Sequence, residues 1–304
     1  MKKDFLTIRD MSPKELAKTL TLAADIKKHP KKYAAALKGK ALAMIFEKPS
    51  LRTRVTFDVG IHQLGGFSVP LMPSEISLGR RESVHDVAKN LERMVQGIMI
   101  RTFGHHIVEE MAKHANVPVI NALTDYSHPC QALADFLTIK EVKGKLKGLK
   151  LTYVGDGNNV AHSLMFAGAR LGVHVTVACP EGYDPDPKAL RDAQEDARET
   201  GATIDVVRDP AKGVEGADAV YTDVWASMGQ EAEAEKRKDI FKPYQVNAAL
   251  MARAKKDAIF LHCLPAHRGD EVTDEVIDSK ASVVFQEAGN RLHAQKAVMV
   301  QLMS

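Results

Sequence analysis

The sequence predicts an α/β protein made of two doubly wound parallel-sheet domains joined by helices. Three observations carry that expectation. The chain has 304 residues, 45% of them hydrophobic and 27% charged, which is ordinary globular usage. At about 150 residues per domain, that length suits two cores. Short apolar runs of strand length alternate with segments of helical periodicity, and a Lys/Gly-rich stretch, KGKLKGLK at 143–150, interrupts the series near the middle. Strands separated by helices pair in parallel through right-handed crossovers.

The elements follow in order. Ser12-Pro13-Lys14-Glu15 reads as an N-cap, a proline at the first helical position and a capping-box glutamate, with Leu16, Leu20 and Ala23 on one face; this helix ends before Pro30. A strand at 41–46 and a helix at 51–64, stopped by Gly65-Gly66, come next. Val84, Val87, Ala88, Leu91 and Val95 have helical spacing, and strand 97–101, helix 105–115, strand 118–122 and helix 128–142 complete the first half. Past the Lys/Gly stretch, strands are expected at 149–156, 174–179, 203–207, 219–223, 258–263 and 282–285, with helices between most of them and a last helix from 288.

Composition narrows the function. The formal charge is only +3 and aromatics are 6%, with one tryptophan, so no global nucleic-acid or membrane surface is expected; an anionic small-molecule substrate is compatible. Three cysteines, Cys130, Cys179 and Cys263, are odd in number and far apart, and His262 and His267 fit no standard zinc spacing. Neither a disulfide scaffold nor a metal site is expected. The start, MKKDFLTIRDM, lacks an apolar core behind its basic residues, and no run approaches the ~18 apolar residues of a membrane span, which with free thiols implies a cytoplasmic protein.

In open α/β sheets ligands bind beyond the carboxyl ends of strands. After strand 41–46 comes Ser50-Leu51-Arg52-Thr53-Arg54, where a helix start, two hydroxyls and two guanidiniums make a cradle for a phosphate dianion or, more blandly, a capped helix with solvated arginines. No Walker loop is present. Arg101 ends the next strand, and His128 and Gln131 open a helix one turn apart, His128 serving either as an oxyanion donor or as packing. Gly155-Asp156-Gly157-Asn158-Asn159 invites a dinucleotide reading. Val160 stands where the fingerprint needs glycine, and Glu181 comes late for a ribose ligand, so NAD is disfavoured. Asn159 can instead hold a small zwitterion. Asp223-Val224-Trp225-Ala226-Ser227-Met228-Gly229 leaves a strand with a carboxylate and reads as a lid or a solvated loop, and Cys263 ends a strand as a mouth thiol or an inert buried one.

Taken in order, SLRTR at Ser50, IRT at Arg101, HPCQALADF at His128, GDGNN, DVWASMG at Asp223 and HCLPAHRG resemble the aspartate/ornithine transcarbamoylase family over essentially the whole chain. SLRT and HPCQ look like the carbamoyl-phosphate half shared by the family; DVWASMG and HCLP look like its ornithine branch. The resemblance implies a carbamoyl-phosphate domain at 1–143, on which a final helix at 288–304 packs back, and an ornithine domain at 144–287. It implies carbamoyl-phosphate binding by Ser50, Leu51, Arg52, Thr53, Arg101, His128, Gln131, Cys263, Leu264 and Arg291, with Arg101, His128 and Cys263 catalytic. Ornithine contacts would come from Asn159, Asp223, Ser227 and Met228. A loop containing Ser77, Arg80 and Arg81 would serve a neighbouring subunit of a homotrimer or a multiple of trimers; Ser77 stands where many members have glutamine. The implied reaction gives L-citrulline and phosphate in arginine metabolism and needs no cofactor or metal. A transcarbamoylase for N-acetylornithine, putrescine or aspartate, an NAD-dependent dehydrogenase and a non-catalytic subunit remain as alternatives.

Overall fold

The structure, a computed structural model, describes residues 3–76, 78–79, 81–229 and 231–304. The chain divides into two compact units, one comprising Met1–Leu137 with Gly289–Ser304 and the other Thr138–Ala288.

The first unit begins with helix α1 (Pro13–Lys28), whose capping box closes as expected: Ser12 N donates to Glu15 Oε2 at 2.9 Å and Glu15 N to Ser12 Oγ at 3.3 Å. Then come β1 (Ala41–Phe46), α2 (Leu51–Gln63), β2 (Phe67–Leu71), α3 (Pro73–Ile76), α4 (Val84–Leu91), β3 (Gly97–Arg101), α5 (His105–His114), β4 (Val119–Leu123) and α6 (Pro129–Lys143). The strands form a parallel sheet of order β2-β1-β3-β4. β1 and β3 are buried on both faces, as strands covered by helices must be. Ala41, Ala43, Ile45, Ile98 and Ile100 pack with Val84, Val87 and Ala88 of α4 and Val108 and Met111 of α5. Each large apolar side chain fully buried in this way stabilises the fold by about 1.5–3 kcal/mol.

The second unit contains β5 (Lys150–Val154), α7 (Asn159–Leu171), β6 (His174–Ala178), α8 (Pro187–Thr200), β7 (Ile204–Val207), α9 (Pro210–Val214), β8 (Ala219–Thr222), α10 (Ala234–Phe241), α11 (Ala248–Met251), β9 (Ile259–His262) and α12 (Asp274–Ile277). Its sheet is parallel with order β7-β6-β5-β8-β9. α13 (Val284–Met303) ends the chain. In each sheet the strand order reverses once, between β1 and β3 in the first and between β5 and β8 in the second, and a crevice at the carboxyl ends is expected at each reversal.

Two expectations are corrected. Nothing in the sequence pattern marks β2, because Pro70 interrupts it and it lies on the sheet edge with most of its residues exposed. The apolar run at 282–285 is not a strand: Ser282 makes a single bridge to Phe260 and α13 starts at Val284, with Phe285 72% exposed. Among the described residues no helix is long and apolar enough to cross a membrane.

Candidate active site

At the reversal in the first sheet, Phe46 of β1 pairs in register with Arg101 of β3, so the segments leaving the two strands are neighbours. Ser50 caps α2, its hydroxyl accepting the Thr53 N–H at 3.2 Å, and the first-turn Leu51 is 73% exposed. The open N–H groups of this helix start carry positive partial charge. Arg101, Thr53, His128, Gln131 and Arg291 are buried and Arg52 is half-buried.

A polar network fixes Thr53, Gln131 and Arg291. Arg291 Nη1 donates to Gln131 Oε1 at 2.5 Å and Nη2 to Thr53 Oγ1 at 3.0 Å. Gln131 Nε2 donates in turn to Asp135 Oδ1 at 2.8 Å. With the Gln295 amide turned so that its nitrogen donates to Thr56 Oγ1 at 2.5 Å, its oxygen accepts from Arg291 Nε and Nη2. The loop before α6 is tied down by Lys48, buried at the end of β1, which pairs with Asp125 and lies 4.2 Å from the Phe103 ring centroid.

His128 reads the field of this cluster. Burial, then the positive charges of Arg291, Arg101 and Arg52, push its imidazole well below the ordinary 6.5, so it stays neutral at physiological pH. A neutral imidazole donates a hydrogen bond without adding charge. Three guanidiniums, a neutral donor and a helix start are the groups with which a protein can hold an anion.

The second unit has its own cluster at the reversal between β5 and β8. Asp223, buried just past β8, accepts three donors: the Cys263 thiol at 3.0 Å and the Val224 N–H at 2.8 Å on Oδ1, and the Asn158 amide at 2.9 Å on Oδ2. Asn158 is the N-cap of α7, accepting from Val160 N and Ala161 N, and Tyr153 donates its hydroxyl to Asn158 Oδ1 at 3.3 Å. Burial and then the Asp223 carboxylate push the Tyr153 phenol well up, which keeps it a donor. The sequence pointed to Asn159. That residue opens α7 half-buried, whereas its neighbour Asn158, which sequence reasoning passed over, touches Asp223. Ser227 is half-buried and Met228 is 41% exposed on the segment leaving β8.

Cys263 and Leu264 lie in this second unit, past β9. Leu264 has φ 56°, the left-handed region a branched side chain rarely adopts, and its N–H donates to His262 Nδ1 at 2.8 Å. His262 Nε2 meets Glu271 Oε1 at 3.0 Å, so both ring nitrogens are occupied and neither serves Cys263 as a base. Glu287 accepts the His262 N–H at 3.0 Å and the Tyr221 hydroxyl at 3.1 Å. Ligand atoms of Asp223, His262 and Cys263 lie within 4.8 Å of one another, but the imidazole bonds just described leave that trio no free histidine nitrogen for a metal. Cys130 and Cys179 are buried thiols pushed up to about 12, inert by that measure. Of the loop expected to serve a neighbouring subunit, Ser77 and Arg80 lie outside the described residues; Arg81 is exposed and donates to the Glu75 carbonyl at 3.0 Å.

Residues 3–141 match the family described as "Aspartate/ornithine carbamoyltransferase, carbamoyl-P binding domain", and residues 147–302 its "Asp/Orn binding domain". An ornithine carbamoyltransferase of Thermococcus kodakarensis is 57% identical over 99% of this chain and 96% of its own length. The solved ornithine carbamoyltransferase of Pyrococcus furiosus superposes with a TM-score of 0.96 at 54% identity, covering 99% of this chain and 96% of that one. The anabolic enzyme of Campylobacter jejuni superposes with a TM-score of 0.94 at 39% identity, covering 98% of each chain. The two reversal-point clusters therefore sit in a chain that belongs to the aspartate/ornithine carbamoyltransferase family.

Proposed function

We propose that the protein transfers the carbamoyl group of carbamoyl phosphate to the δ-amine of L-ornithine, giving L-citrulline and phosphate in arginine metabolism. The observation that carries the reading is the buried cluster at the start of α2, where Arg291 holds Thr53 and Gln131 and its charge acts with those of Arg101 and Arg52 on His128. The first unit takes carbamoyl phosphate: Ser50, the Leu51 N–H, Arg52 and Thr53 meet the phosphate, while Arg101, His128 and Gln131 meet the carbamoyl oxygen and amide. The second unit takes ornithine, with Asp223 facing its α-ammonium and Asn158, Asn159, Ser227 and Met228 beside the carboxylate.

Carbamoyl phosphate is already an activated acyl donor, so the protein's task is positioning and charge stabilisation. Attack of the amine on the carbonyl carbon forms the C–N bond and puts charge on the carbonyl oxygen, which Arg101, His128 and Thr53 stabilise. Cleavage of the C–O bond then releases phosphate, which carries away the proton the amine nitrogen loses and whose charge Arg52 and the α2 start take up. The amine is the harder partner. An alkylammonium with a pKa near ~10.4 is neutral in about 1 in 2,500 molecules at pH 7, a cost of about 4–5 kcal/mol. Turnover is therefore expected to rise with pH above neutrality. Cys263, whose thiol donates to Asp223, orients the amine instead of forming an acyl adduct.

The assembly proposed is a homotrimer or a multiple of trimers, in the cytoplasm. Supporting the assembly is an apolar surface of the first unit: Leu51, Val55 and Val59 follow one another at four-residue spacing on α2 and are exposed, as are Phe67 and Val69 on β2. The test of the function is a single assay in which purified protein, carbamoyl phosphate and ornithine are scored for citrulline and phosphate together. Equal amounts of both are expected. Phosphate without citrulline, or ureido product only from N-acetylornithine, putrescine or aspartate, overturns the reading.

A further inference from the structure

The segment that leaves β8 with Asp223 is held from the side of the protein interior by one residue that the reaction scheme does not use. Arg237, on α10, is 6% exposed. Its Nη1 donates to the Trp225 carbonyl oxygen at 2.9 Å and to Asp156 Oδ2 at 2.9 Å, and its Nε to Glu233 Oε2 at 3.2 Å. The guanidinium carbon lies 4.9 Å from the Tyr183 ring centroid. Those partners come from four segments: Trp225 two residues past Asp223, Asp156 two before Asn158, Glu233 at the start of α10, and Tyr183 past β6.

The segment after β5 is already pressed against the one after β6. Gly157 N donates to the Tyr183 carbonyl at 2.9 Å, and a Cβ at Gly157 would lie 2.2 Å from Pro185 N. The Asp156 side of the clamp thus has no room to retreat, and Arg237 sets the Trp225 side against it. Only a planar fork of donors reaches a carbonyl, two carboxylates and a ring face at once; the point charge of a lysine does not. A buried ion pair is a poor source of net stability, because desolvation consumes most of its Coulomb gain. Geometry is what this one provides.

We propose that Arg237 is a positioning residue for ornithine, holding the Trp225 carbonyl against Asp156 and so fixing the spacing of Asn158, Asp223 and Ser227. The proposal rests on the ornithine reading of the second unit. Its test is the double variant Arg237→Met/Asp156→Asn, which removes both buried charges at near-constant volume, with Arg237→Lys alongside. Expected are an ornithine KM raised about tenfold or more, a kcat lowered less than about threefold and an intermediate KM for the lysine variant. Carbamoyl-phosphate affinity by calorimetry should match the unaltered protein. In ligand-free protein, amide hydrogen exchange at 224–229 should quicken. A folded double variant with unchanged ornithine KM overturns the proposal, as does an equal loss of carbamoyl-phosphate affinity. If the unaltered protein forms no citrulline, the functional reading falls, and exchange alone decides the clamp: quickened exchange supports it and unchanged exchange removes it.

Discussion

Arg291 and Gln131, 160 residues apart in sequence, share a buried 2.5 Å hydrogen bond that ties the last helix to the start of α6. The same guanidinium reaches Thr53, in the first turn of α2. The chain's final helix is thus built into the arginine cluster of the first unit, and on the proposed reading a change at Arg291 acts on both stability and binding.

Arg291→Met keeps the stem but removes the donors. Each buried acceptor left without one costs about 1–3 kcal/mol, so a loss of about 2–4 kcal/mol is expected in urea unfolding. Losing one of the three positive charges beside His128 should also move its imidazole back toward 6.5, measurable by NMR titration. A variant with unaltered stability and unaltered His128 titration contradicts the network.

Arg101→Ala removes a donor aimed at the proposed oxyanion and should lower turnover by about 10²–10³-fold at saturating substrates. Turnover close to that of the unaltered protein would place the oxyanion elsewhere.

The depressed His128 pKa has a defined sign in stability. Below 6.5 the unfolded chain protonates this histidine while the folded protein does not, so unfolding takes up a proton and stability falls as pH drops through 6.5. Burial depresses His105 in the same direction. Between pH 6 and 5, unaltered protein should lose stability faster than His128→Gln by up to about 1.4 kcal/mol per pH unit. Parallel pH–stability curves for the two proteins would show that His128 titrates normally.

Asp223→Asn presents an amide nitrogen to one set of donors, whichever way it turns, since both carboxylate oxygens accept. Ornithine affinity should fall by about two orders of magnitude, as for a charged hydrogen bond lost, with carbamoyl-phosphate affinity preserved. Calorimetry with each ligand alone checks both halves of that statement.

Val55→Asp sets a charge in the exposed apolar row of α2. Sedimentation should show a species of 33.3 kDa in place of a trimer or a multiple of one. An unchanged trimer would move the interface off this face.

The sequence carries the architecture well wherever burial is two-sided. Ala41–Phe46 and Ile98–Ile100 are unbroken apolar runs because helices cover both faces, and such runs are visible in one dimension. β2 escaped because an edge strand with a proline has neither the alternation nor the donor pattern of a paired one. The residues nearest the strand ends, Ser50, Arg101, His128, Asp223 and Cys263, stand out as candidates by position, and only the family resemblance assigns them roles. The side chains that hold them do not stand out. Asn158 and Asn159 differ only in which is the N-cap, a one-residue matter that spacing does not decide, and Arg237 reaches Asp156 across 81 positions of sequence.

The reversal in the second sheet has a consequence for how acceptor preference can be rewritten. Asp223 and Asn158 stand on connectors leaving β8 and β5, while the strands beneath contribute backbone pairing and buried apolar side chains. A changed amino acid at Asp223 or Asn158 leaves the strand ladders in place, whereas Trp225 belongs to the core and Gly157 has no room for a Cβ. On the proposed reading, one scaffold can exchange its nucleophile by editing two short stretches while the arginine cluster of the first unit stays as it is.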